Sequence, residues 1–532
     1  MSKTNTQQVQ NRPVWEWGDG SALFLAYVVV LVVLLAVKAK TSLRLDEAYS
    51  VLIARRSLAE LIISLEADTW PPLYFVALSF WIRLFGDSEL GARSLSLVVF
   101  VLCLGATYKL AFDIFGNSRI ALFSAWLLSV MSLAVNHATN ARGYMMLCLA
   151  SAISTRFALA AMYRKGRELP FAVGYIAASF AGLMTHYSFG YVMLAHLVLC
   201  FSHFRDRLAL LVVTQGIASG VFVVSWGTIF WHQLTEIAPL GLVWIKPTSL
   251  LTLMDALAAP FGSVTGSSRY AVFTGLCWAI LLAPLIATIR PMARRIDDSA
   301  VHLILLVFAE LVALLVVSRF KPSYVPGRQD VIIVPLIAIL FARWLCATIS
   351  SRTIMLVLVS LSLLRIGATS YQAFKGDTGT DRWVARQICA VASSGDVVIL
   401  TDLSWCGITY YLGRICPQKT VELVAFPSDI PSHPGWRNLN HIAQQIAAGS
   451  DLEALIQRLN TAGSKGARAL IVAMSPFPVY QEVRQRLNAH FTLLNRWAVP
   501  NHAKTGTYVS ELLYYSFTPT TPTSQPRRES HR

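Results

Sequence analysis

The chain has 532 residues, of which 55% are hydrophobic and 14% are charged, and its formal net charge is +16. A soluble domain carries about 25% charged residues, so this composition excludes an ordinary globular protein. The basic residues are scattered between hydrophobic runs and form no stripe with interleaved aromatics, which argues against nucleic acid as a partner, whereas the basic cytoplasmic loops of a membrane protein give the same excess.

The first apolar run, Ser21–Val37, predicts a retained transmembrane helix. It follows Met1–Gly20, which carries charges of both signs, and no small-residue cleavage site stands at its end. We expect residues 1–20 to form a cytoplasmic N-terminus.

Apolar runs recur to about residue 370, and many are long enough for the roughly 17–25 residues of a helix across a bilayer. Together with the first run they predict a polytopic α-helical domain over residues 21–370 with about eleven transmembrane helices. The further predicted spans are Ser94–Phe112, Ile120–Val135, Tyr144–Tyr163, Leu169–Met184, Ser188–Phe204, Leu208–Phe230, Tyr270–Ile289, Ala300–Val317, Val331–Leu345 and Ile354–Ala368.

Loop charge orients these spans. With a cytoplasmic N-terminus, the inside loops hold 13 basic residues and the outside loops after the first hold six, as the positive-inside rule requires. The first outside loop, residues 38–93, has seven basic and seven acidic residues, a balance that charge alone does not explain. An odd number of spans places the tail outside.

The stretch Pro71–Ile82 within that loop is apolar but has only 12 residues, opens with Pro-Pro and is followed by Arg83. It is too short to span a bilayer, and counting it as a span would move the basic loops outside. We therefore expect an interfacial helix here, in the first outer loop.

The tail changes character after about Tyr371, where charges rise and β-rich runs alternate with helical patterns. These patterns predict a small extracytoplasmic α/β domain over residues 371–517, and the Pro/Thr/Ser-rich Thr518–Arg532 is expected to be disordered. The predicted strands include Asp396–Leu400, Ala469–Met474 and Thr507–Phe517, and the predicted helices include Asp381–Val391, Asp451–Asn460 and Val479–Asn488.

Three of the eight cysteines lie in this tail. Cys389, Cys406 and Cys416 could supply one disulfide if the tail faces an oxidising compartment, and no CxxC pair or Cys/His cluster suggests zinc. The other five lie in or beside apolar runs, where a cysteine is usually a small buried hydrophobe; they are Cys103, Cys148, Cys200, Cys277 and Cys346.

Two adjacent carboxylates, Asp46 and Glu47, follow directly on the first span in the segment Arg44–Tyr49. The transfer of a group to a hydroxyl needs a base that removes the proton, and a second carboxylate can orient the first or help to hold a metal. The alternative is a pair of solvated loop charges beside a membrane helix.

Two more polar clusters are predicted on the same side of the membrane. Asp68–Tyr74 contains Pro71-Pro72, which fixes the chain direction and suits a helix start, although a rigid turn would explain it equally. Asn136–Tyr144 crowds polar groups at the mouth of two spans, and His137 by itself could be an interfacial hydrogen-bonding residue.

The order of these motifs carries a resemblance. DEAY after the first span, then D-x-x-PPLYF, FG-x-SE-x-x-x-R at Phe85–Arg93 and AR-x-Y resemble the bacterial membrane glycosyltransferases of family 39. That group is related to the protein O-mannosyltransferases and the lipid A aminoarabinose transferase, within the C-type glycosyltransferase fold. The resemblance covers about residues 20–370.

The resemblance implies an enzyme that uses a polyprenyl-phosphate sugar, with Asp46 as the catalytic base and Glu47 in support. The chain has Trp70 where the family usually has His before Pro-Pro, and Asn140 where Glu or Gln-Glu usually precedes Ala-Arg. These departures argue against a bound metal and against a second acidic catalyst, so no cofactor is certain, although a divalent metal remains possible. The candidate substrate-binding residues are Asp68, Tyr74, His137, Asn140, Arg142, Tyr144 and Arg328.

The chemistry of the leaving group singles out two of these residues. An anionic lipid phosphate leaves without a proton but needs positive charge as the bond breaks. Arg142 and Arg328 are the candidates, because Arg can bind phosphate through two hydrogen bonds. A snorkelling role at the interface is the alternative for Arg328.

Three other residues stand in unusual places. Glu310 lies within a predicted span, where a carboxylate suggests a function or a polar partner. His186 and Tyr187 interrupt two spans at the outer face, where they could contact the head of the carrier or form an aromatic interface belt.

The sequence thus predicts a hexosyl- or pentosyltransferase in the bacterial cytoplasmic (inner) membrane. Its partners would be a polyprenyl-phosphate sugar donor, membrane lipid and a cell-envelope acceptor that is a lipid, glycan or protein. No Gly-rich loop opens a helix after a strand to bind a nucleotide. The alternatives are a multi-span transporter or flippase of lipid-linked sugars, expected to show interrupted helices or a repeat, and a polymerase or ligase centred on a late outer loop.

Overall fold

The structure is a computed structural model in which the chain segments form two units, each described below by itself. It describes residues 15–164, 166, 168–249, 252, 255–256, 258–262, 298–375, 379–432, 438–500 and 509–517. The first unit comprises Met1–Lys40, Arg93–Trp226 and Pro247–Lys375, and the second comprises Thr41–Ala92, Gly227–Lys246 and Gly376–Arg532.

Membrane-spanning helices are evident from their length and composition. Within the described residues, six helical segments are long and apolar enough to cross a bilayer, and a bent helix pair could supply a seventh. The protein is therefore a multi-pass membrane protein. The six are Gly20–Lys38, Glu89–Phe115, Tyr144–Tyr163, Arg205–Gly241, Asp298–Phe320 and Ser351–Phe374.

Three of the expected spans form shorter apolar helices. Glu168–Leu183 has 16 residues, and Phe189–His203 and Val334–Thr348 have 15 each, below the roughly 17–25 that a straight span requires. The expected span Tyr270–Ile289 lies outside the described residues, as does Cys277. The total of eleven spans therefore stays a prediction.

The expected span Ile120–Val135 is broken into two helices, so whether it crosses the membrane stays a prediction. Helices Ser118–Val130 and Ser132–Ala138 meet at 66°, and Met131 between them is extended, with φ −66° and ψ 127°. The break removes helical partners from the Val130 carbonyl, which instead accepts hydrogen bonds from Arg365 Nε at 3.0 Å and Nη2 at 2.6 Å. A buried guanidinium thus satisfies the end of the first helix.

The helices of the first unit pack in pairs through small residues and apolar side chains. Tyr144–Tyr163 lies against Glu168–Leu183, and Phe189–His203 lies against Asp298–Phe320. A side chain at Gly174 would overlap the ring of Phe157, so glycine allows the first pair its close approach. The shared core contains Leu110, Ala158, Met162, Tyr175, Leu199, Leu211, Leu306 and Ile339.

Three helices of the first outer loop belong to the second unit. The expected interfacial stretch forms Leu73–Phe85, whose 13 residues are too few to span a bilayer. The helix before it begins at Ser57, whose hydroxyl accepts the Glu60 N–H at 3.3 Å while the Glu60 carboxylate accepts the Ser57 N–H at 3.0 Å, which is a capping box. The first two helices are Leu45–Ala54 and Leu58–Glu66.

The tail of the second unit contains a five-stranded sheet. Its strands are β1 Val397–Thr401, β2 Glu422–Phe426, β3 Ala469–Met474, β4 Thr492–Ala498 and β5 Glu511–Ser516, in the order β2-β1-β3-β5-β4. β2, β1 and β3 are parallel, whereas β5 pairs antiparallel with both β3 and β4. β1 and β3 are buried along their whole length, as central strands covered on both faces must be.

The tail also contains five helices among the described residues, and a disulfide joins the first of them to the residue after the second. The bond links Cys389 to Cys416, with the two Cα atoms 6.0 Å apart, while Cys406 is a buried free thiol. The expected disordered segment Thr518–Arg532 lies outside the described residues. The tail helices are Thr380–Val391, Ser404–Ile415, Leu439–Ala448, Ser450–Ser464 and Gln481–His490.

Candidate active site

The two carboxylates after the first span lie in the first turn of the helix Leu45–Ala54, hereafter the loop helix. Acidic side chains are stabilised there by the helix dipole. Glu47 is 2% exposed, and its Oε2 accepts the backbone N–H of Arg44 at 2.9 Å, whereas Asp46 is half-buried. Glu47 therefore caps the helix, and Asp46 is the better placed of the two for chemistry.

Asp68 is the acidic residue of the second motif, Asp68–Tyr74. It is buried, and its Oδ1 accepts the Thr69 N–H at 2.7 Å. The turn around it is held by Gln233, whose amide donates to the Leu65 carbonyl at 2.6 Å and to the Trp70 carbonyl at 3.3 Å. Gln233 lies in a π-helical turn 163 residues after Trp70, and no sequence motif pointed to it.

The charges of Asp46 and Asp68 both act on the buried thiol of Cys406. Burial raises the pKa of this thiol, and the negative charges of Asp381, Asp46 and Asp68 act in the same direction, while Arg56 opposes them. Asp381 is a tail residue that sequence reasoning did not select. Burial raises the pKa of Asp381 to about 7.

Tyr74 lies on the buried face of the helix Leu73–Phe85. Its side chain is 1% exposed, and its ring packs edge-on against Phe75 with centroids 5.7 Å apart. Tyr74 therefore contributes to packing, and its role in substrate binding stays a prediction.

The FG-x-SE motif anchors the end of this loop. Gly86 has φ +78°, which favours glycine in the turn. The Asp87 carboxylate then pairs with Arg55 at 2.5 Å and with Arg414 at 2.6 Å, and Glu89 pairs with Arg382. Two tail arginines, Arg382 and Arg414, thus hold the end of the first outer loop.

A second polar cluster lies in the first unit, around His137. Its Nε2 is 2.9 Å from the Gly327 carbonyl, which can only accept, so Nε2 carries the proton. The His137 and Tyr144 rings lie 4.6 Å apart, and Tyr144 and His186 lie 6.1 Å apart. Three aromatic rings from two chain segments therefore form a continuous wall.

Arg142 and Arg328 lie beside this wall. Burial lowers the pKa of the His186 ring to about 3, and the positive charges of both arginines act in the same direction. Arg142 is only 6% exposed and Arg328 is half-buried. The first unit therefore brings both predicted phosphate-binding arginines, His137 and Tyr144 together around His186.

Asn140 contributes to this cluster through its backbone. Its carbonyl accepts the Ser96 hydroxyl at 2.7 Å and the Arg142 N–H at 2.8 Å. These bonds fix the turn that carries Arg142. The neutral side chain that replaces the family's acidic residue stands at the start of this turn.

The loop that carries Arg328 is held by two side chains directly after it. Gln329 Oε1 accepts the Val325 N–H at 3.0 Å, and Asp330 Oδ2 accepts the Gly327 N–H at 2.5 Å. Gly327 has φ +79°, a conformation that favours glycine. Burial raises the pKa of Asp330 to about 7, although the Gly327 N–H stabilises the ionised form.

The described residues offer few side chains that could bind a divalent metal together. In the part of the chain that the structure describes, no group of three or more His, Cys, Asp or Glu side chains converges to hold a metal ion. Trp70, in the position where the family usually has His, offers no ligand. We therefore derive no step through a metal.

Comparison with known structures defines the class of protein. The fold is similar to that of ArnT from Cupriavidus metallidurans bound to undecaprenyl phosphate, with a TM-score of 0.59 and 13% identity over 97% of this chain and 100% of that one. The apo form of that ArnT gives a TM-score of 0.59 and 13% identity over 94% and 98% of the two chains. The chain is thus a multi-pass membrane protein with the C-type glycosyltransferase fold.

The sequence comparison agrees. Residues 69–227 match the family model described as dolichyl-phosphate-mannose-protein mannosyltransferase. The expected resemblance to family 39 membrane glycosyltransferases is confirmed. A search of curated proteins gave no significant match.

The apo oligosaccharyltransferase of Archaeoglobus fulgidus is a more distant structural match, with a TM-score of 0.45 and 11% identity over 93% of this chain and 74% of that one.

Proposed function

We propose that the protein transfers a sugar from a polyprenyl-phosphate donor to a hydroxyl-bearing acceptor of the cell envelope. The observation that carries this proposal is the contact between the segments of the two arginines, where His137 Nε2 lies 2.9 Å from the carbonyl of Gly327, the residue before Arg328. The positive charges of Arg142 and Arg328 both act on the nearby ring of His186. Two guanidinium groups beside an uncharged ring form a strongly electropositive pocket, as an anionic phosphate requires. The bound undecaprenyl phosphate of the ArnT structure supports a lipid phosphate in this role.

The reaction assigned to these residues is a displacement at the anomeric carbon. Asp46 accepts the proton of the acceptor hydroxyl as its oxygen bonds to that carbon. The bond from carbon to the phosphate oxygen breaks, and the polyprenyl phosphate leaves with the electron pair. Arg142 and Arg328 stabilise the charge that develops on the departing phosphate, which needs no proton at neutral pH.

Glu47 supports this chemistry indirectly. Its carboxylate closes the first turn of the loop helix through the Arg44 N–H at 2.9 Å, so it fixes the backbone from which Asp46 projects. Loss of this cap would destabilise the first turn of the helix by about 0.5–2 kcal/mol and so make the position of Asp46 less fixed.

We further propose that the reaction takes place on the outer face of the bacterial cytoplasmic membrane. The excess of basic residues in the loops assigned to the inside supports this orientation. The Cys389–Cys416 disulfide is also suited to an oxidising compartment.

The test replaces Asp46 by Asn in the full-length protein in lipid vesicles. Undecaprenyl-phosphate-linked pentoses and hexoses with a labelled sugar serve as donors, and a cell-envelope extract supplies acceptors. We expect Asp46→Asn to lower transfer by about 100-fold or more. Glu66→Gln, a change of an exposed carboxylate in the same unit, is the matched control and should transfer like the wild type.

The outcomes separate the proposals. Full transfer by Asp46→Asn would remove the base assignment. Movement of the labelled lipid across the vesicle membrane without any transfer product would instead favour a flippase of lipid-linked sugars. Mass analysis of envelope lipids and glycans from cells with and without the protein would identify the sugar and the acceptor.

A further inference from the structure

His186 lies in a short turn between the helices Glu168–Leu183 and Phe189–His203. Its backbone N–H donates to the Gly182 carbonyl at 3.0 Å, and its carbonyl accepts the Phe189 N–H at 3.0 Å. The ring of Phe189 occupies the space that a side chain at Gly182 would need. The turn is therefore tightly packed and holds the imidazole in one place.

The hydrogen bonds of the ring identify which nitrogen carries the proton. Nδ1 of His186 lies 3.1 Å from the Ser188 backbone nitrogen and 2.8 Å from the Ser188 hydroxyl. A backbone N–H can only donate, so Nδ1 must be the acceptor. In a neutral imidazole the proton is then on Nε2, which becomes a hydrogen-bond donor on the opposite side of the ring from Ser188.

The surroundings keep this ring neutral. The Tyr144 ring lies 6.1 Å from it between centroids, and the positive charges of Arg142 and Arg328 act on it. A second proton would place a third positive charge in a buried, already cationic pocket. A neutral N–H donor, by contrast, adds a hydrogen bond to an anion without that cost.

We propose that His186 is a third phosphate-binding residue, whose Nε2–H donates to an oxygen of the lipid phosphate held by Arg142 and Arg328. This inference rests on the proposed function, because it assumes that the two arginines bind a phosphate. Ser188 acts through His186 as a positioning residue, since its two donors fix the tautomer. The three groups give the phosphate donors from three separate segments of the chain.

The two nitrogens can be tested separately by substitution. Asn places an amide near the position of Nδ1 and so preserves an acceptor for Ser188, but it lacks the distal donor. Gln places an amide N–H near the position of Nε2, but it lacks the near acceptor. His186→Asn therefore tests the donor that would bind phosphate, and His186→Gln tests the acceptor that bonds to Ser188 in the turn.

The measurement is the dissociation constant of full-length protein in lipid nanodiscs for two probes, undecaprenyl phosphate and undecaprenol. We expect His186→Asn to weaken binding of the phosphate by about 10-fold or more, as for a lost hydrogen bond to a charged group, and to leave binding of the alcohol unchanged. His186→Gln should keep most of the phosphate affinity. Competition with inorganic phosphate distinguishes a site for the lipid headgroup from one that takes free phosphate.

A matched control is available in the neighbouring helix. His196 is also buried, but its nitrogens lie 3.0 Å from the Thr155 hydroxyl and 3.0 Å from the Tyr175 hydroxyl. His196→Asn should therefore leave the preference for phosphate over alcohol unchanged. It controls for the general effect of losing a buried imidazole.

Two results would overturn the inference. One is wild-type phosphate affinity in His186→Asn; the other is an equal loss for both probes, which would mean that the ring serves the fold alone. Failure of the proposed function looks different, because the wild-type protein would then bind undecaprenyl phosphate no better than undecaprenol. If His186→Asn does not fold, weak phosphate binding by folded His186→Gln would equally contradict the role of the distal donor.

Discussion

The backbone N–H of Leu43 donates a buried hydrogen bond of 2.8 Å to the hydroxyl of Tyr411. Leu43 lies directly before the loop helix, and Tyr411 lies in the tail helix Ser404–Ile415. A residue of the α/β tail thus fixes the chain two residues before the helix that carries Asp46. This bond connects the fold of the tail to the position of the proposed base.

The first prediction concerns this bond. Tyr411→Phe leaves the buried Leu43 N–H without this acceptor, so we expect a loss of about 1–3 kcal/mol in unfolding free energy and a lower turnover number. Tyr410→Phe is the control, because Tyr410 lies in the same helix as Tyr411 and its hydroxyl donates to the Asp87 carbonyl at 2.9 Å. Thermal unfolding and transfer rates measure both variants, and equal turnover in the two would refute a special role for Tyr411.

The second prediction concerns the disulfide between Cys389 and Cys416. Cys416 directly follows the helix Ser404–Ile415, which carries Tyr411. Closing a loop of this length stabilises a protein by about 3 kcal/mol. We expect the double variant Cys389→Ser and Cys416→Ser to unfold at a lower temperature, and reductant to have the same effect on the wild type. Cys346→Ser, which removes a free thiol, is the control. Labelling of Cys389 and Cys416 before reduction would contradict the bond.

The third prediction is a pH dependence at Asp330. Its pKa is about 7 in the folded protein and near 3.8 when unfolded, so between these values the folded carboxyl binds a proton that the unfolded one has released. Stability should therefore fall as the pH rises from about 4 to 7, by up to about 1.4 kcal/mol per pH unit. Asp330→Asn keeps an oxygen for the Gly327 N–H and should remove this part of the slope.

The measurement is the difference in unfolding free energy between the wild type and Asp330→Asn across that pH range. Tyr324 and Asp255 face the same carboxyl and stay unchanged in both proteins. The exposed Asp206 provides a control, since Asp206→Asn should leave the slope as it is. A constant difference between wild type and Asp330→Asn at every pH would show that Asp330 does not titrate in this range.

The fourth prediction concerns Glu310, which lies in the middle of the helix Asp298–Phe320 and is fully buried. Within the described residues neither of its carboxyl oxygens has a hydrogen-bond partner. Burial of such a group costs stability, so Glu310→Met should raise the unfolding temperature, by the equivalent of about 1–3 kcal/mol. Loss of transfer without a gain in stability would instead support the functional role that its place in a span suggested.

Sequence patterns located the six long apolar helices because the length and hydropathy of a run are local properties of the chain. Composition could not reveal the break at Met131, where the run Ile120–Val135 is apolar throughout most of its length. The break depends on Arg365, which satisfies the Val130 carbonyl from another helix. A local pattern contains no information about such a distant partner.

The sequence predicted only some of the residues of the candidate site. The motifs selected Asp46, Arg142 and Arg328 and gave Glu47 a supporting role, but they did not reveal that the Glu47 carboxylate caps the helix. They also left Gln233 and Tyr411 unmentioned, because an amide or a phenol gives no signal until the backbone group that it binds is known.

The sequence by itself determined that the chain crosses a membrane repeatedly and that acidic and basic motifs follow one another in a glycosyltransferase-like order, since hydropathy and motif spacing are local properties. Only the tertiary structure decided that the charges of Arg142 and Arg328 both act on His186, and that Ser188 assigns the imidazole proton to Nε2. The distances between residues far apart in the chain arise from helix packing, and the state of a buried ring depends on those distances.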